Sequence, residues 1–466
     1  MKLNIKRILL IDVTFAFLLI TSVSFAASSA TKNKVTWTFD RDYTTGQYAN
    51  GDPWVVGPVT ISAISPTPTD TKNGVMINPV IDGAQGFDNA LRDSTYDAAL
   101  NKGTTLPLTV ATNSSVISTI TAENYTQFGT IEVFAILTVV ETAPAPGSFR
   151  PPAVGAGSRA SEWNEAQLDY ARLASLDKSV LTTVPSMAAV AADFAYPWFE
   201  MYQGWTGRYL HPSYMGETGY GREIAMKSGD AALLLNLNFT NAQKRALLIG
   251  LVQVGIDNYG FIQHGGAWYA DGGHNCGRLS PLIVAAAVLN DSGMKLAIKG
   301  SGMKFQEFQQ TFTITESDVG RTLGYGQWDN SDPRQWVIAG SNLDPIHVYT
   351  AADIGKGEWG IRHHGEPQKD NNFWAASYRD IGGGVLIAPS TVARVMGMRG
   401  TIDWEPLFLY VDRHIGYEQS AGYAGEFSSN PPTSFQRQFY NTYKDAVIGS
   451  PGVNVPSVPS GLRIRR

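Results

Sequence analysis

The chain has 466 residues, of which 43% are hydrophobic and only 17% are charged, and this balance excludes an intrinsically disordered protein. Its formal charge is 36 − 41 = −5 at neutral pH, which argues against a nucleic-acid-binding protein, because that class presents a basic face. The length suits a protein of more than one domain.

Residues 1–26 have the pattern of a signal peptide. Basic residues come first, an apolar stretch follows at 8–20 with Asp12 as its one charge, and Ser24 and Ala26 provide small side chains for cleavage after Ala26. The apolar stretch is too short for a stable membrane span, and no later stretch is long enough. The sequence therefore predicts a secreted or periplasmic protein without a stable membrane span.

Residues 33–143 have the composition of β-structure. Runs rich in β-branched and aromatic residues at 35–39, 54–61 and 131–140 are separated by turn-forming clusters, and Gly-Pro interrupts the second run. Short strands separated by turns predict a small β-sandwich. Because the region contains no histidine, we expect it to be non-catalytic. Residues 144–158, which begin with an Ala/Pro/Gly-rich stretch, are predicted to be a linker.

The following region, 159–450, is predicted to be mostly α-helical and catalytic. Residues 161–176 have helical spacing, Thr240 and Gln243 form a capping-box pattern before a long apolar run, and Pro281 opens another apolar stretch. Many buried helices between Gly-rich loops suggest an α/α toroid. The complete prediction is multidomain α and β: an N-terminal β-sandwich, an α/α toroid and a tail at 451–466.

The loop at 265–278 is the first candidate site. It holds five glycines, which let a backbone approach a ligand closely, between polar and aromatic side chains. The candidate residues in this loop are Trp268, Tyr269, His274, Asn275 and Arg278. The alternative interpretation is a tight turn in which His274 and Asn275 cap helix ends.

Two further segments mix aromatic and basic residues. In the first of these segments the mixture suits a groove that stacks sugar rings and pairs with their carboxylates, although core packing would also explain it. In the first segment the candidate substrate-binding residues are Trp205, Arg208, Tyr220 and Arg222. In the second segment a loop-borne His364 near Tyr378 and Arg379 suits proton transfer, and the alternative is a surface loop with polar caps. Its candidates are His364 and Tyr378 for catalysis and Trp374 and Arg379 for substrate binding.

The sequence predicts no metal and no cofactor. His363 and His364 are adjacent rather than spaced as helical metal ligands, and Cys276 is the one cysteine in the chain. Nucleophile-elbow, dinucleotide-binding and phosphate-loop patterns are absent from the sequence.

The stretches 220–225, 251–257 and 271–274 resemble the secreted bacterial polysaccharide lyases of the α/α-toroid, alginate-lyase-like class. Trp374, Tyr378 with Arg379, and residues 410–413 fit the same pattern, and the similarity covers about residues 148–418. The resemblance implies β-elimination on an anionic polysaccharide that contains uronic acid, without a redox cofactor. The order His274-Asn275 departs from the Asn-Asn-His type of motif in that class, so the individual roles stay open.

Such an elimination removes a weakly acidic proton beside a carboxylate, so it needs a group that neutralises the carboxylate and groups that move protons. Candidate neutralisers are Asn275, Arg278 and Arg222, and candidate proton-transfer groups are His274, His364 and Tyr378. The alternatives are a glycoside hydrolase and a non-catalytic carbohydrate-binding surface protein.

Overall fold

The computed structural model describes residues 25–92, 94–123, 131–204, 221–270, 273–320, 322–323, 337–338, 349–360, 383–421 and 432–446. The apolar part of the predicted signal peptide and the predicted tail lie outside these residues.

Eight strands in the N-terminal part form one mixed sheet. The strands are β1 (Phe25–Lys32), β2 (Val35–Gln47), β3 (Pro53–Val56), β4 (Val59–Ser65), β5 (Val75–Ile77), β6 (Leu108–Val110), β7 (Ser114–Thr121) and β8 (Ile131–Val140). Their order is β5-β7-β8-β3-β2-β4-β6, and β1 pairs with β2. All pairs are antiparallel except β3 with β8. The three runs predicted as strands are confirmed, and the Gly-Pro interruption separates β3 from β4.

The sheet curls like half of a barrel. Strands β2 and β7 are separated by two strands in the sheet order, yet the Trp37 Nε1 donates a hydrogen bond to the Ser118 Oγ at 3.0 Å. Val35, Val116 and Val133, from three different strands, belong to the same buried cluster on the concave face. A single curved sheet thus encloses this apolar cluster, whereas a β-sandwich would enclose it between two sheets.

The other face of this sheet packs against the helical part. All eight residues of β7 are buried, and the Phe134 ring of β8 lies 5.4 Å from the ring of Phe199, between centroids. Ile117 and Phe134 belong to the same core as the helices. The predicted β-sandwich is therefore wrong, because helices rather than a second sheet cover the apolar face.

The described residues contain ten α-helices. They are α1 (Met187–Asp193), α2 (Gly221–Leu234), α3 (Asn241–Gln263), α4 (Leu279–Val288), α5 (Ser292–Ala297), α6 (Gln306–Gln309), α7 (Ile387–Val395), α8 (Arg399–Ile402), α9 (Glu405–Ala421) and α10 (Ser434–Tyr443). Two short strand pairs lie among them, β9 (Thr311–Thr313) with β12 (Gly357–Trp359) and β10 (Thr322–Leu323) with β11 (Val337–Ile338).

These helices do not form the predicted α/α toroid. A toroid is a ring of regularly paired helices of similar length. The described residues contain only ten helices, too few for such a ring, and their lengths range from 4 to 23 residues. The toroid prediction is wrong because an apolar helix pattern reports burial, and burial against a sheet gives the same pattern as burial inside a ring.

The stretch 161–176 is also not the α-helix that its spacing predicts. It contains the 3₁₀ turns Glu165–Gln167 and Tyr170–Arg172, and each turn is capped by the side chain that precedes it, Asn164 or Asp169. These side chains bond the backbone locally, so they stabilise short turns in place of a continuous helix.

The segment predicted as a linker connects the sheet with the longest helix, α3. Arg150 is fully buried and donates from Nε to the Asp52 Oδ2 at 2.7 Å and from Nη1 to the Asp257 Oδ1 at 2.9 Å. Phe149 and Val154 on either side are buried as well. Asp52 precedes β3 and Asp257 lies in α3, so one guanidinium joins the two parts.

Within the described parts of the chain, each helix is too short or too polar to cross a lipid bilayer.

Candidate functional site

The loop between α3 and α4 lies directly against the start of α2. A Cβ on Gly221 would come within 2.2 Å of the His274 carbonyl oxygen, so the close approach requires glycine at this position. Arg222 follows Gly221 in the chain, and His274 is half-buried. The fold therefore brings the loop of His274 and the first turn that carries Arg222 to one place.

Arg278 stabilises this loop from within. Its side chain is only 2% exposed and donates from Nε to the Glu200 Oε1 at 2.8 Å. Its Nη1 donates to the carbonyl of Cys276 at 3.0 Å and to that of His274 at 3.3 Å. These bonds give Arg278 a supporting role in the loop, and its role as a neutraliser stays a prediction.

Asn275 is also engaged with the protein. Its Nδ2 donates to the carbonyl oxygens of Tyr269 at 2.8 Å and Gln203 at 3.1 Å, which uses both amide hydrogens. Its backbone N–H donates to the Gln306 Oε1 at 3.0 Å. Asn275 is 1% exposed, so it closes the loop and does not present its amide to a substrate.

Trp268 belongs to the core. Its side chain is fully buried and stacks between Phe261, at 4.7 Å between ring centroids, and Phe305, at 5.3 Å. Trp268 is a candidate residue of the loop by its sequence, but its ring is fully buried between other aromatic rings and is not exposed to a ligand.

Tyr269 stays half-buried at the same loop, and it has an unexpected neighbour. Burial first, and the carboxylate of Asp82 second, raise the pKa of the Tyr269 hydroxyl. Gln203 fixes Asp82 through its backbone N–H, at 2.9 Å to Oδ1, and its Nε2, at 2.6 Å to Oδ2. Asp82 belongs to the N-terminal region that the sequence predicts to be non-catalytic, and no local pattern marks it.

Arg222 has a carboxylate partner but keeps some exposure. Its Nε donates to the Glu223 Oε1 at 2.8 Å, and the two side chains are 27% and 19% exposed. Unlike the Arg278 guanidinium, the Arg222 guanidinium can add a solvent-side contact without losing its protein partner.

Buried polar groups beneath the loop explain the state of Cys276. The Gln306 Nε2 donates to the Cys276 Sγ at 2.7 Å, and the Gly277 N–H donates to the Glu307 Oε1 at 2.9 Å. Burial raises the pKa of the Cys276 thiol well above its usual value and also raises that of the Glu307 carboxyl. A fully buried thiol with a raised pKa is a poor nucleophile, so Cys276 belongs to the supporting structure.

Seven of the predicted site residues lie outside the described residues: Trp205, Arg208, Tyr220, His364, Trp374, Tyr378 and Arg379. Their roles stay predictions.

The part of the chain that the structure describes holds no group of three or more His, Cys, Asp or Glu side chains arranged to bind a metal ion. No protein-family model, curated protein or solved structure matches the chain. A functional interpretation therefore rests on the chemistry of the site.

Proposed function

We propose that this protein is an exported polysaccharide lyase that cleaves a uronic-acid-containing polymer by β-elimination. The observation that supports the proposal is the contact between Gly221 and the carbonyl of His274, which brings together the local backbones of His274 and Arg222. The buried bonds of Asn275 and Arg278 hold the loop in place, and its half-buried side chains His274 and Tyr269 are the candidates to contact a polymer.

The reaction assigns a task to each of these groups. Arg222 would pair with the uronate carboxylate and lower the cost of the negative charge that develops as the C5 proton leaves. His274 would accept that proton as general base. Tyr269, whose pKa is raised, keeps its proton at neutral pH and suits donation to the leaving oxygen. Tyr378 and His364 stay alternative proton-transfer groups.

The direct test is an assay of the full chain on a panel of uronate polysaccharides. A lyase produces an unsaturated sugar that absorbs near the ultraviolet edge, and the absorbance should rise with the wild-type protein on at least one polymer. New reducing ends without this absorbance would instead indicate a glycoside hydrolase. Binding without either product would indicate a carbohydrate-binding surface protein, and both outcomes would contradict the lyase proposal.

Matched variants then test the residues. We expect His274→Ala to lower kcat by about 10²–10⁴-fold, as is usual for loss of a general base. His264→Ala is the control, because His264 is exposed and its ring nitrogens bond the backbone carbonyls of Gly260 and Ala156. Equal turnover in the two variants would contradict the assignment of His274.

Arg222→Ala should raise KM and also lower kcat, because a guanidinium holds the carboxylate in both the ground state and the transition state. Arg245→Ala is the matched control, since Arg245 also pairs with a carboxylate but lies on the exposed end of α3. An unchanged KM in Arg222→Ala would show that another group binds the carboxylate.

Export is a separate part of the proposal and rests on residues 1–26. We expect the mature protein recovered from its host to begin at Ala27, and N-terminal sequencing measures this. Cleavage there removes the first two residues of β1 and leaves Ala27, which pairs with Tyr43, as the strand start. Recovery of the chain with residues 1–26 intact would contradict export by this signal.

A further inference from the structure

A buried cation lies between the sheet and the helical part without a carboxylate partner. Arg159 is 3% exposed, and its Nη2 donates to the carbonyl of Gly155 and, at 3.0 Å, to the Asn78 Oδ1. Its Nε is buried and has no acceptor within hydrogen-bond distance, and no described Asp or Glu forms an ion pair with it. Burying such a charge costs several kcal/mol unless another group compensates it.

Three buried hydroxyl groups lie near Arg159, and with it they form what we name the Arg159 cluster. Its members are Tyr48, Ser115, Thr138 and Arg159. Several contacts hold the cluster together. Ser115 and Thr138 are direct partners across β7 and β8, and the Thr138 hydroxyl lies beside that of Tyr48. The Asn78 Oδ1 accepts from both the Ser115 N–H, at 2.8 Å, and Arg159.

The Arg159 Nε–H and the three hydroxyl groups of the cluster can all act as hydrogen-bond donors. Burial raises the pKa of the Tyr48 phenol, so it keeps its proton. Burial and nearby Arg150 lower the pKa of Arg159 only to about 10, so the guanidinium stays charged at neutral pH. A Ser or Thr hydroxyl can turn its proton toward any acceptor in reach.

The charges around the cluster do not cancel. Lys32, Arg150 and Arg159 contribute +3, and Asp52 and Asp257 contribute −2, which leaves 3 − 2 = +1. The two carboxylates are already engaged by Arg150 and Lys32. One monovalent anion would neutralise this net charge of +1, whereas a dianion would leave a net charge of −1.

We propose that the Arg159 cluster binds a small monovalent anion, such as chloride, at the junction of the sheet and the helical part. A water molecule could accept these hydrogen bonds, but it would leave the charge of Arg159 uncompensated. The atoms of the cluster are enclosed, which favours a compact anion, and the exposed residues 156–158 come shortly before Arg159 in the chain.

The anion should stabilise the folded protein because only the folded state assembles the cluster. We expect the thermal midpoint of the full chain to rise with sodium chloride, at constant ionic strength kept with sodium gluconate, and to level off at saturation. The shift should be about 2 °C or more. No saturable chloride effect on the wild-type protein would overturn the proposal.

Variants locate the effect. Arg159→Gln should abolish the chloride-dependent shift, while Arg172→Gln, a change at an arginine paired with Asp169 nearer the surface, should keep it. Tyr48→Phe removes one donor without removing the charge, so the chloride concentration needed for half the shift should rise by about tenfold. An unchanged chloride response in both Arg159→Gln and Tyr48→Phe would place the anion elsewhere.

Crystals of the wild-type protein grown in sodium bromide give a test that does not depend on how the variants fold. Anomalous density beside the Arg159 Nε would confirm the site. A water molecule alone at this position would overturn it. The Arg159 cluster contains none of the residues assigned to the lyase reaction, so failure of the anion site leaves the lyase proposal untouched, and the reverse also holds.

Discussion

At the scale of single residues, the buried ion pair between Glu200 and Arg278 supports the loop that carries His274, and its contribution to stability can be measured. Glu200→Gln leaves the guanidinium buried without its counter-charge, so we expect the free energy of unfolding to fall by about 3–5 kcal/mol. The measurement is urea unfolding of the full chain. The control is Glu165→Gln, because Glu165 pairs with the largely exposed Arg245, and such pairs contribute at most about 1 kcal/mol. Equal losses in the two variants would contradict the supporting role of Glu200.

Asp230 gives a pH-dependent prediction at the same scale. Burial raises its carboxyl pKa from 3.8 to about 6, although Thr433 and Gln436 both donate to its Oδ1. The folded state therefore holds this proton more tightly than the unfolded state, and stability decreases as pH rises from about 4 to about 6. Asp230→Asn can keep both bonds at its Oδ1 and should remove this decrease.

We expect Asp230→Asn to be more stable than the wild-type protein by about 2 kcal/mol at pH 7 and equally stable at pH 4. Unfolding in urea at several pH values measures the difference. Asp445→Asn, a change at an exposed carboxylate, is the control for the loss of one negative charge. A wild-type advantage at pH 7 would show that the ionised carboxylate is favoured in the fold.

At the scale of elements, the start of α3 illustrates what a local pattern can predict. The Thr240 Oγ1 accepts from the Gln243 N–H at 3.2 Å, and the Gln243 Oε1 accepts from the Thr240 N–H at 2.9 Å, which confirms the predicted capping box. Thr240→Ala should lower the free energy of unfolding by about 1 kcal/mol, because an N–H of the first turn loses its acceptor. Chemical unfolding measures the loss, and Thr240→Ser, which retains the hydroxyl, should recover most of it.

At the scale of the whole molecule, the sheet and the helices share a core and the buried Arg150 joins them. We therefore expect a cut in the mostly exposed segment 141–146 to leave the two fragments associated, since residues 149–151 and 153–154 are buried and Arg150 bonds both parts. Limited proteolysis with proteinase K followed by gel filtration of the nicked protein tests this. Separate elution of an intact N-terminal fragment would instead support the predicted independent domains at 33–143 and 159–450.

Arg150→Met should weaken this association, because it leaves the carboxylates of Asp52 and Asp257 buried without their shared cation. The expected result is release of the N-terminal fragment at lower urea concentration than in the nicked wild-type protein. Unchanged release would show that the apolar contacts, such as Phe134 with Phe199, hold the two parts without the ion pairs.

The sequence by itself determined the features that depend on neighbours in the chain: the β-runs of the N-terminal part, the capping box at Thr240, the buried helix α4 and the loop that holds His274. Only the tertiary structure decided which surfaces these elements cover. Apolar residues in β7 predict a covered face, but they do not say that helices cover it instead of a second sheet. In the same way, Arg278 and Asn275 look available in the sequence, yet Glu200, Gln203 and Tyr269 engage them in the fold. Burial and pairing depend on residues distant in the chain, and no local pattern encodes those partners.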